Sequence, residues 1–364
     1  MKILYLGEYD PGEIVLAPIK VGKELFMSFK NYGYNVFYLP YFQDGNIYSR
    51  NQKLFGFEKI TDRVYRTGIL PLLSFVIKFK PQLIHINTPG LYYFPLFFLR
   101  FLFHYKIIST LHSINRYVIP RHTSIKGFQK FRFLLIEYLL VKFSDYVFVY
   151  SNRDKRYISM YYKIRPAKII IVNNGFNEVN VHKKDFSFRS PLRIAFVGQI
   201  DRKEKAFYLL LDTLSILKLQ VKLSVYGYDR PVEAVTNIPT NVELQMHDPL
   251  GEVEFRQALI VNDIFILPSK YESFSISLLE AMNTGILFLV STRVGLTERF
   301  DQNLKCLVFR NGKTDDLIDR IKFCLEMDNI QKFSLSSEII NFSKNFYWDK
   351  ISSDYKLLYN NLLI

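Results

Sequence analysis

Two carboxylates, Glu272 and Glu280, stand with seven residues between them in an otherwise apolar and hydroxyl-rich stretch, residues 267–285. Glu280 has Leu278, Leu279, Ala281 and Met282 as its sequence neighbours. An ionised carboxylate in such company is costly unless hydroxyls, amides or a helix dipole compensate it. A lone glutamate on an apolar helix would be half exposed and make a surface pair. The second carboxylate nearby points instead to a polyol site, where carboxylates accept hydrogen bonds from sugar hydroxyls. Cations are offered by Arg202 and Lys205, in a polar loop that follows Gly198. By residue type alone they read as an ordinary solvated charge run. Two histidines differ in setting. His85 lies inside an apolar run and reads as a satisfied core residue, whereas His112 follows an apolar run and falls at a strand's carboxyl end.

Positioning these groups requires strands and helices in alternation. Residues 263–267 read as a short buried strand, Pro268 ends it, and 269–275 make a polar turn. A helix from about 276 to 283 follows, with Ser275 or Ser273 as N-cap and Gly285 as its stop, and 286–290 form another buried strand. In such a unit ligands collect at the carboxyl ends of strands and at helix N-termini. The same alternation runs through the chain: strands at 2–6, 35–40, 81–87, 106–113, 144–151 and 168–172, then at 192–198, 222–227 and 241–247. Helices are expected at 18–34, 91–105, 133–143, 153–162, 206–219, 251–262 and from about 346 to 362. Short spacing between successive strands with a helix between them requires parallel sheets. Residues 43–70 read as a variable loop with a short strand, 304–325 as a closing strand and helix, and 179–190 as a linker.

The order Pro268-Ser269, Glu272, Phe274, Glu280-Ala281-Met282, Gly285 resembles the E-x7-E signature of the family-4 glycosyltransferases, which are retaining nucleotide-sugar enzymes. The resemblance extends to Thr110-Leu111-His112, to Asn174-Gly175 at the close of the first half, to the 198–206 loop, and to Gly295 with Glu298. It implies an α/β chain of GT-B fold, two Rossmann-like domains with parallel sheets facing across a cleft. An acceptor domain would span 1–180, a nucleotide-sugar domain 181–345, and a terminal helix, 346–364, would cross back to the first domain. His112, Glu272 and Lys205 would be catalytic. Gly198, Arg202, Lys205, Ser275, Ile276, Glu280 and Glu298 would bind the donor, Glu280 through ribose hydroxyls and the backbone at Ser275 and Ile276 through the diphosphate. Gly22 is the candidate for the phosphate loop after the first strand, or else ordinary helix-start punctuation. Departures from the pattern are Ser113 beside His112, Gln199 for the usual arginine, Ala206 for the usual glycine, and a single glycine near residue 22. The co-substrate would be a nucleoside-diphosphate sugar, with no other cofactor. With no Asp-x-Asp pair at a strand end, no metal is expected. Two other readings compete: a degenerate protein of this fold acting as a scaffold, and a nucleotide-sugar epimerase.

The net charge of +14 is unevenly spread. Residues 1–185 carry 27 Lys and Arg against 12 Asp and Glu, and residues 186–364 carry 21 against 22. The first half should therefore meet something anionic. Within it, Arg116, Arg121, Lys126, Lys130 and Arg132 interleave with Tyr117, Ile119, Phe128, Phe131 and Phe133. Such a stretch suits an anionic membrane surface, or a solvated loop followed by a core helix. No recognition motif supports a nucleic-acid partner. The most apolar segment, 90–105, is interrupted by Pro95 and Arg100 and is too short to span a bilayer, and the N-terminal apolar run is too short for a signal peptide. The expectation is a cytoplasmic enzyme, peripheral on the inner face of the membrane, extending a glycan or lipid-linked acceptor in bacterial surface polysaccharide assembly (capsule, O-antigen or exopolysaccharide). Cys306 and Cys324 lack metal-ligand spacing and read as reduced core residues.

Overall fold

Apolar tetrads such as Leu83–Ile86 and Ile264–Leu267 are buried at all four positions, which requires helices on both faces of the sheets that hold them. The computed structural model describes residues 1–12, 16–42, 49–118, 127–227, 235 and 237–363. The chain divides into two units, residues 1–116, 125–174 and 348–364 in the first, and 117–124 with 175–347 in the second.

The first unit contains β1 (Lys2–Leu6), α1 (Ala17–Asn31), β2 (Asn35–Leu39), α2 (Arg50–Phe55), β3 (Phe57–Thr61), β4 (Val64–Thr67), α3 (Ile69–Phe79), β5 (Leu83–Ile86), α4 (Phe94–Phe103), β6 (Lys106–Thr110), the first two residues of α5 (Asn115–Val118), α6 (Gly127–Phe143), β7 (Tyr146–Val149), α7 (Asn152–Tyr162) and β8 (Ile169–Ile171). Its eight strands run in the order β3-β4-β2-β1-β5-β6-β7-β8, all pairs parallel except β3 with β4. One core joins Leu4, Leu6, Ile84, Ile86 and Ile107 of the strands to Leu72, Val76, Leu96, Phe97, Ile136 and Leu140 of α3, α4 and α6. On α1 and the C-terminal helix (Trp348–Leu363), Phe29 and Tyr359 stack at 4.9 Å, and the Tyr359 hydroxyl lies 3.0 Å from that of Tyr5. His85 is fully buried, its two ring nitrogens bonded to Tyr359 and Thr110, as a core histidine must be.

Three local expectations need correction here. Residues 43–70 hold a capped helix and a hairpin rather than a loop with one strand, although 43–48 lie outside the described residues. The hairpin edge strand β3 is almost wholly exposed, so it carries no apolar period to read. Helix α6 is already formed at Gly127, well before Phe133, and its first described turns face solvent, so they carry no apolar period to read. Gly22 lies in the second turn of α1 and not in a loop. A Cβ there would come within 2.5 Å of Asn87 Nδ2 and 2.6 Å of the Tyr38 hydroxyl, so the residue is small because α1 packs closely on the strand ends.

The second unit contains β9 (Leu192–Val197), α8 (Phe207–Leu217), β10 (Val221–Tyr226), β11 (Val242–His247), α9 (Glu252–Ile260), β12 (Ile264–Leu267), α10 (Ile276–Thr284), β13 (Leu287–Ser291), β14 (Val308–Phe309), α11 (Thr314–Glu326) and α12 (Asn329–Ser343). The C-terminal helix, α13, then returns to the first unit. The sheet is parallel throughout, in the order β11-β10-β9-β12-β13-β14. Strand order reverses between β9 and β12, and in the first sheet between β1 and β5. Such reversals leave a crevice at the strands' carboxyl ends. The stretch 179–190 has no helix or strand, yet it is fastened to the second unit: buried Lys183 donates to the carbonyls of Ile260 (3.1 Å) and Asn262 (2.7 Å). Cys324 is buried, while Cys306, expected in the core, is only half-buried.

Candidate active site

At the reversal in the second sheet, β9 ends at Gly198 and β12 at Pro268. Gly198 has φ +139°, and a Cβ would lie 3.1 Å from Lys205 Cδ, so the lysine chain is laid across the glycine. Lys205 Nζ reaches Glu272 Oε1 at 2.7 Å, and the Ser269 hydroxyl donates to the same oxygen at 2.7 Å. Burial works to raise the Glu272 carboxyl, but the Lys205 charge and hydrogen bonds from Lys205, Ser269 and Ser275 outweigh it and hold it below the usual glutamate value. The carboxylate is therefore ionised at neutral pH. Its loop is fixed from behind, since Glu272 N–H donates to Arg293 O (3.1 Å) and Gly295 N–H to Glu272 O (2.9 Å).

Ser275 caps α10, its hydroxyl accepting from Leu278 N–H at 3.3 Å. Its φ of 102° is a conformation that non-glycine residues avoid, and strain of this kind gathers at functional sites. The Ser275 side chain also bonds the Glu272 carboxylate, so the start of α10, where Ile276 follows, is tied to the Lys205–Glu272 pair. Arg202 lies on the same loop, with Nη1 3.9 Å from the buried Glu204 carboxylate. Glu298 is exposed, on the 3₁₀ turn Gly295–Arg299.

Glu280, half-buried on α10, acts electrostatically on Arg256 of α9, a residue the sequence reading missed. Arg256 is fully buried; Nη2 donates to Asn177 O at 2.9 Å and the guanidinium lies 5.5 Å from the Phe176 ring centre. Burial pushes its pKa down, against the attraction of Glu280 and Glu252. Among the described residues its Nε and Nη1 have no hydrogen-bond partner, though Nη1 lies 4.0 Å from Glu252 Oε2. The buried Arg256 charge attracts Glu280 and so offsets part of the cost of a carboxylate among apolar sequence neighbours. Nothing in the stretch 252–260 flags it, because an i, i+4 Glu–Arg pair on a helix usually marks a solvated face.

In the first unit, His112 follows β6. Asn87 Nδ2 donates to Pro18 O at 2.7 Å, which turns its Oδ1 toward His112 Nε2, 3.2 Å away. Nε2 therefore carries the proton, and Nδ1 accepts from the Tyr150 hydroxyl at 3.2 Å. Burial lowers the imidazole pKa to about 4, so His112 is a neutral ring with a fixed tautomer. Ser113 beside it is exposed.

The second unit thus brings together Gly198, Arg202, Lys205, Glu272, Ser275 and Ile276, with Glu280 one helix turn onward. The first unit holds His112, and Gly22 packs behind its partner Asn87. Of the basic-aromatic stretch, Arg121 and Lys126 lie outside the described residues, Arg116 is exposed on α5, and Lys130 and Arg132 sit on the first turns of α6 with Phe128 and Phe131, 79% and 61% exposed. Among the described residues no helix is long and apolar enough to cross a membrane, and no three His, Cys, Asp or Glu side chains cluster as metal ligands would.

Comparison with known proteins agrees with this geometry. Residues 191–327 match the family described as glycosyl transferases group 1, and residues 39–179 match Glycosyltransferase Family 4. The O-antigen biosynthesis glycosyltransferase WclY of Escherichia coli is 32% identical over 272 residues, 71% of this chain and 72% of its own. Sulfoquinovosyl transferase SQD2 of Arabidopsis thaliana is 22% identical over 267 residues, 70% of this chain and 52% of its own, so the chain spans about half the length of that relative. Among solved structures, sucrose-phosphate synthase from Thermosynechococcus elongatus superposes with a TM-score of 0.77 at 15% identity, over 100% of this chain and 99% of that one, which shows a shared GT-B fold. The chain belongs to glycosyltransferase family 4 and is a glycosyltransferase of that fold.

Proposed function

We propose that the protein transfers a sugar, with retention of configuration and without a metal, from a nucleoside-diphosphate sugar to a lipid-linked glycan acceptor in bacterial surface polysaccharide assembly. The observation that carries this reading is the Lys205–Glu272 pair at the mouth of the β9–β12 reversal, beside the N-terminus of α10. An ionised carboxylate can accept from sugar hydroxyls. A cation and helix N–H groups can take up the charge that grows on a leaving diphosphate. Without donor, each partner of the pair satisfies the other. A bound donor would replace both halves of that bargain, its hydroxyls donating to Glu272 and its diphosphate accepting from Lys205. The glycosidic C–O bond to the diphosphate breaks as the acceptor oxygen bonds to the same carbon from the same face. The acceptor proton passes to the departing diphosphate oxygen, so the step balances. Glu280, on which the Arg256 charge acts, would bind ribose hydroxyls.

The setting follows from charge and from relatives. WclY is by name an O-antigen biosynthesis enzyme. The basic first half, with Phe98 and Phe101 on α4 and Phe128 and Phe131 on α6 largely exposed, suits contact with an anionic membrane surface on its cytoplasmic face.

The test is to incubate the purified protein with a panel of nucleoside-diphosphate sugars and a lipid-linked acceptor, following diphosphate release and product anomeric configuration by NMR. One donor should be consumed, with retention. Lys205→Ala should lower kcat by about 10²- to 10³-fold, the scale for removing one charge-stabilising group. Donor binding with no transfer to any acceptor would favour the scaffold reading, and an inverted product would remove the mechanism.

A further inference from the structure

A second charged concavity lies wholly within the first unit. It has a volume of about 360 Å³ and is lined by Arg116 of α5, Leu134, Tyr138 and Lys142 of α6, and Tyr161, Tyr162 and Lys163 at the end of α7. Three cations and three tyrosines therefore share one opening. The Arg116 guanidinium lies 4.0 Å from the Tyr161 ring centre, and Lys142 Nζ lies 5.9 Å from that of Tyr138. Among the described residues none of the three cations forms an ion pair. The carboxylate of Glu137, which feels the Arg116 charge, belongs to a residue 1% exposed. Its carboxylate is already engaged by the Tyr162 hydroxyl at 2.5 Å and by Asn115 N–H. The Arg116 N–H also bonds it and the Arg116 charge acts on it, so it offsets that one cation in part.

A helix dipole alone would select cations at helix ends, which accounts for Lys142 and Lys163. It does not account for Arg116, which comes from a third element and stacks on the α7 tyrosine. Stacking a guanidinium on a ring leaves its N–H edge free to aim at an anion, the arrangement best matched to phosphate oxygens. The Lys205–Glu272 pair is in the other unit, so this is not the donor site.

We propose that this concavity is a phosphate-ester site, in which Arg116, Lys142 and Lys163 hold the phosphate and the tyrosine rings line the group attached to it. The phosphate could belong to a lipid headgroup or to a soluble ester. The membrane-facing aromatics on α6 make the first consistent with the proposed setting, but the site itself does not depend on glycosyl transfer.

The full-length protein would be titrated with glycerol 1-phosphate, followed by phosphorus NMR line broadening, and floated with vesicles of phosphatidylcholine alone or mixed with phosphatidylglycerol. The double variant Lys142→Ala, Lys163→Ala is compared with wild type and with Lys130→Ala, which lies outside the concavity. Both lysines are solvent-accessible, so the variant should fold, and its thermal shift with nucleotides reads the Lys205 site separately. The expected result is wild-type binding of the phosphate probe that weakens about tenfold or more in the double variant and much less in Lys130→Ala. Loss of flotation on the mixed vesicles, relieved by no soluble ester in wild type, identifies a headgroup. Loss of glycerol phosphate binding with flotation intact identifies a soluble ester. If the double variant binds both probes as wild type does, the proposal is overturned. Failure of the nucleotide shift would instead count against the proposed function and leave this site untouched.

Discussion

Arg256 shows how one side chain lets a carboxylate live among apolar neighbours. Replacing a buried charge by an apolar residue of similar length often leaves stability unchanged or raises it, provided the partner is not stranded. Here Glu280 would be stranded only in part, being half-buried and open to solvent. Arg256→Met should therefore fold with a melting temperature near wild type, yet weaken nucleotide binding by about tenfold, because the carboxylate loses the charge that acts on it. Equal loss of folding and binding would show that Arg256 is structural only. The histidines give a second residue-scale prediction. Burial lowers His85 to about 3 and His112 to about 4, whereas both would titrate near 6.5 when unfolded. Below about pH 6.5 the unfolded chain then binds more protons than the folded one. Stability should be full above that pH and fall by up to about 1.4 kcal/mol per pH unit for each histidine as pH drops toward 4. Glu272, held low by Lys205, adds to the loss only below the ordinary glutamate range. Urea midpoints measured from pH 7.5 to 4.5 check this, and a flat profile between 7 and 5 would contradict the neutral, buried assignment.

At the scale of elements, close approach sets the constraints. Helix α1 presses Gly22 against Asn87, the same residue that orients His112. Gly22→Ala should cost about 1–3 kcal/mol by overpacking and disturb the histidine with it. Urea unfolding checks the first, and the NMR shift of the His112 ring checks the second. The stretch 267–285 was legible because every local signal agreed: Pro268 ends β12, Ser275 caps α10, and Gly285 stops it at φ +72°. Other elements were illegible for a common reason. Strand β3 and the first turns of α6 are solvated on all sides, so no apolar period marks them. Gly22 read as a phosphate-loop glycine or helix-start punctuation because a sequence shows a missing side chain but not the neighbour that forbids one. Arg256 was hidden because a buried guanidinium and a solvated one have the same letter and, on this helix, the same spacing from Glu252.

At the scale of the whole molecule, the excess of positive charge was visible in composition, and the structure gives it a focus that composition could not. Arg116, Lys142 and Lys163 are distant in sequence and meet only once α5, α6 and α7 are packed. The return of α13 to the first unit has a consequence for the order in which the chain can be built. Tyr355 and Tyr359 are buried, and Tyr359 completes the hydrogen bonds of Tyr5 and His85 near the start of the chain. During vectorial synthesis the second unit, nearly continuous in sequence, emerges in full before α13 does, so the segment made first is the one finished last. A nascent chain stopped at Tyr347 should therefore already protect the second unit from protease while the first stays open to it, and adding α13 should close the first in a single step.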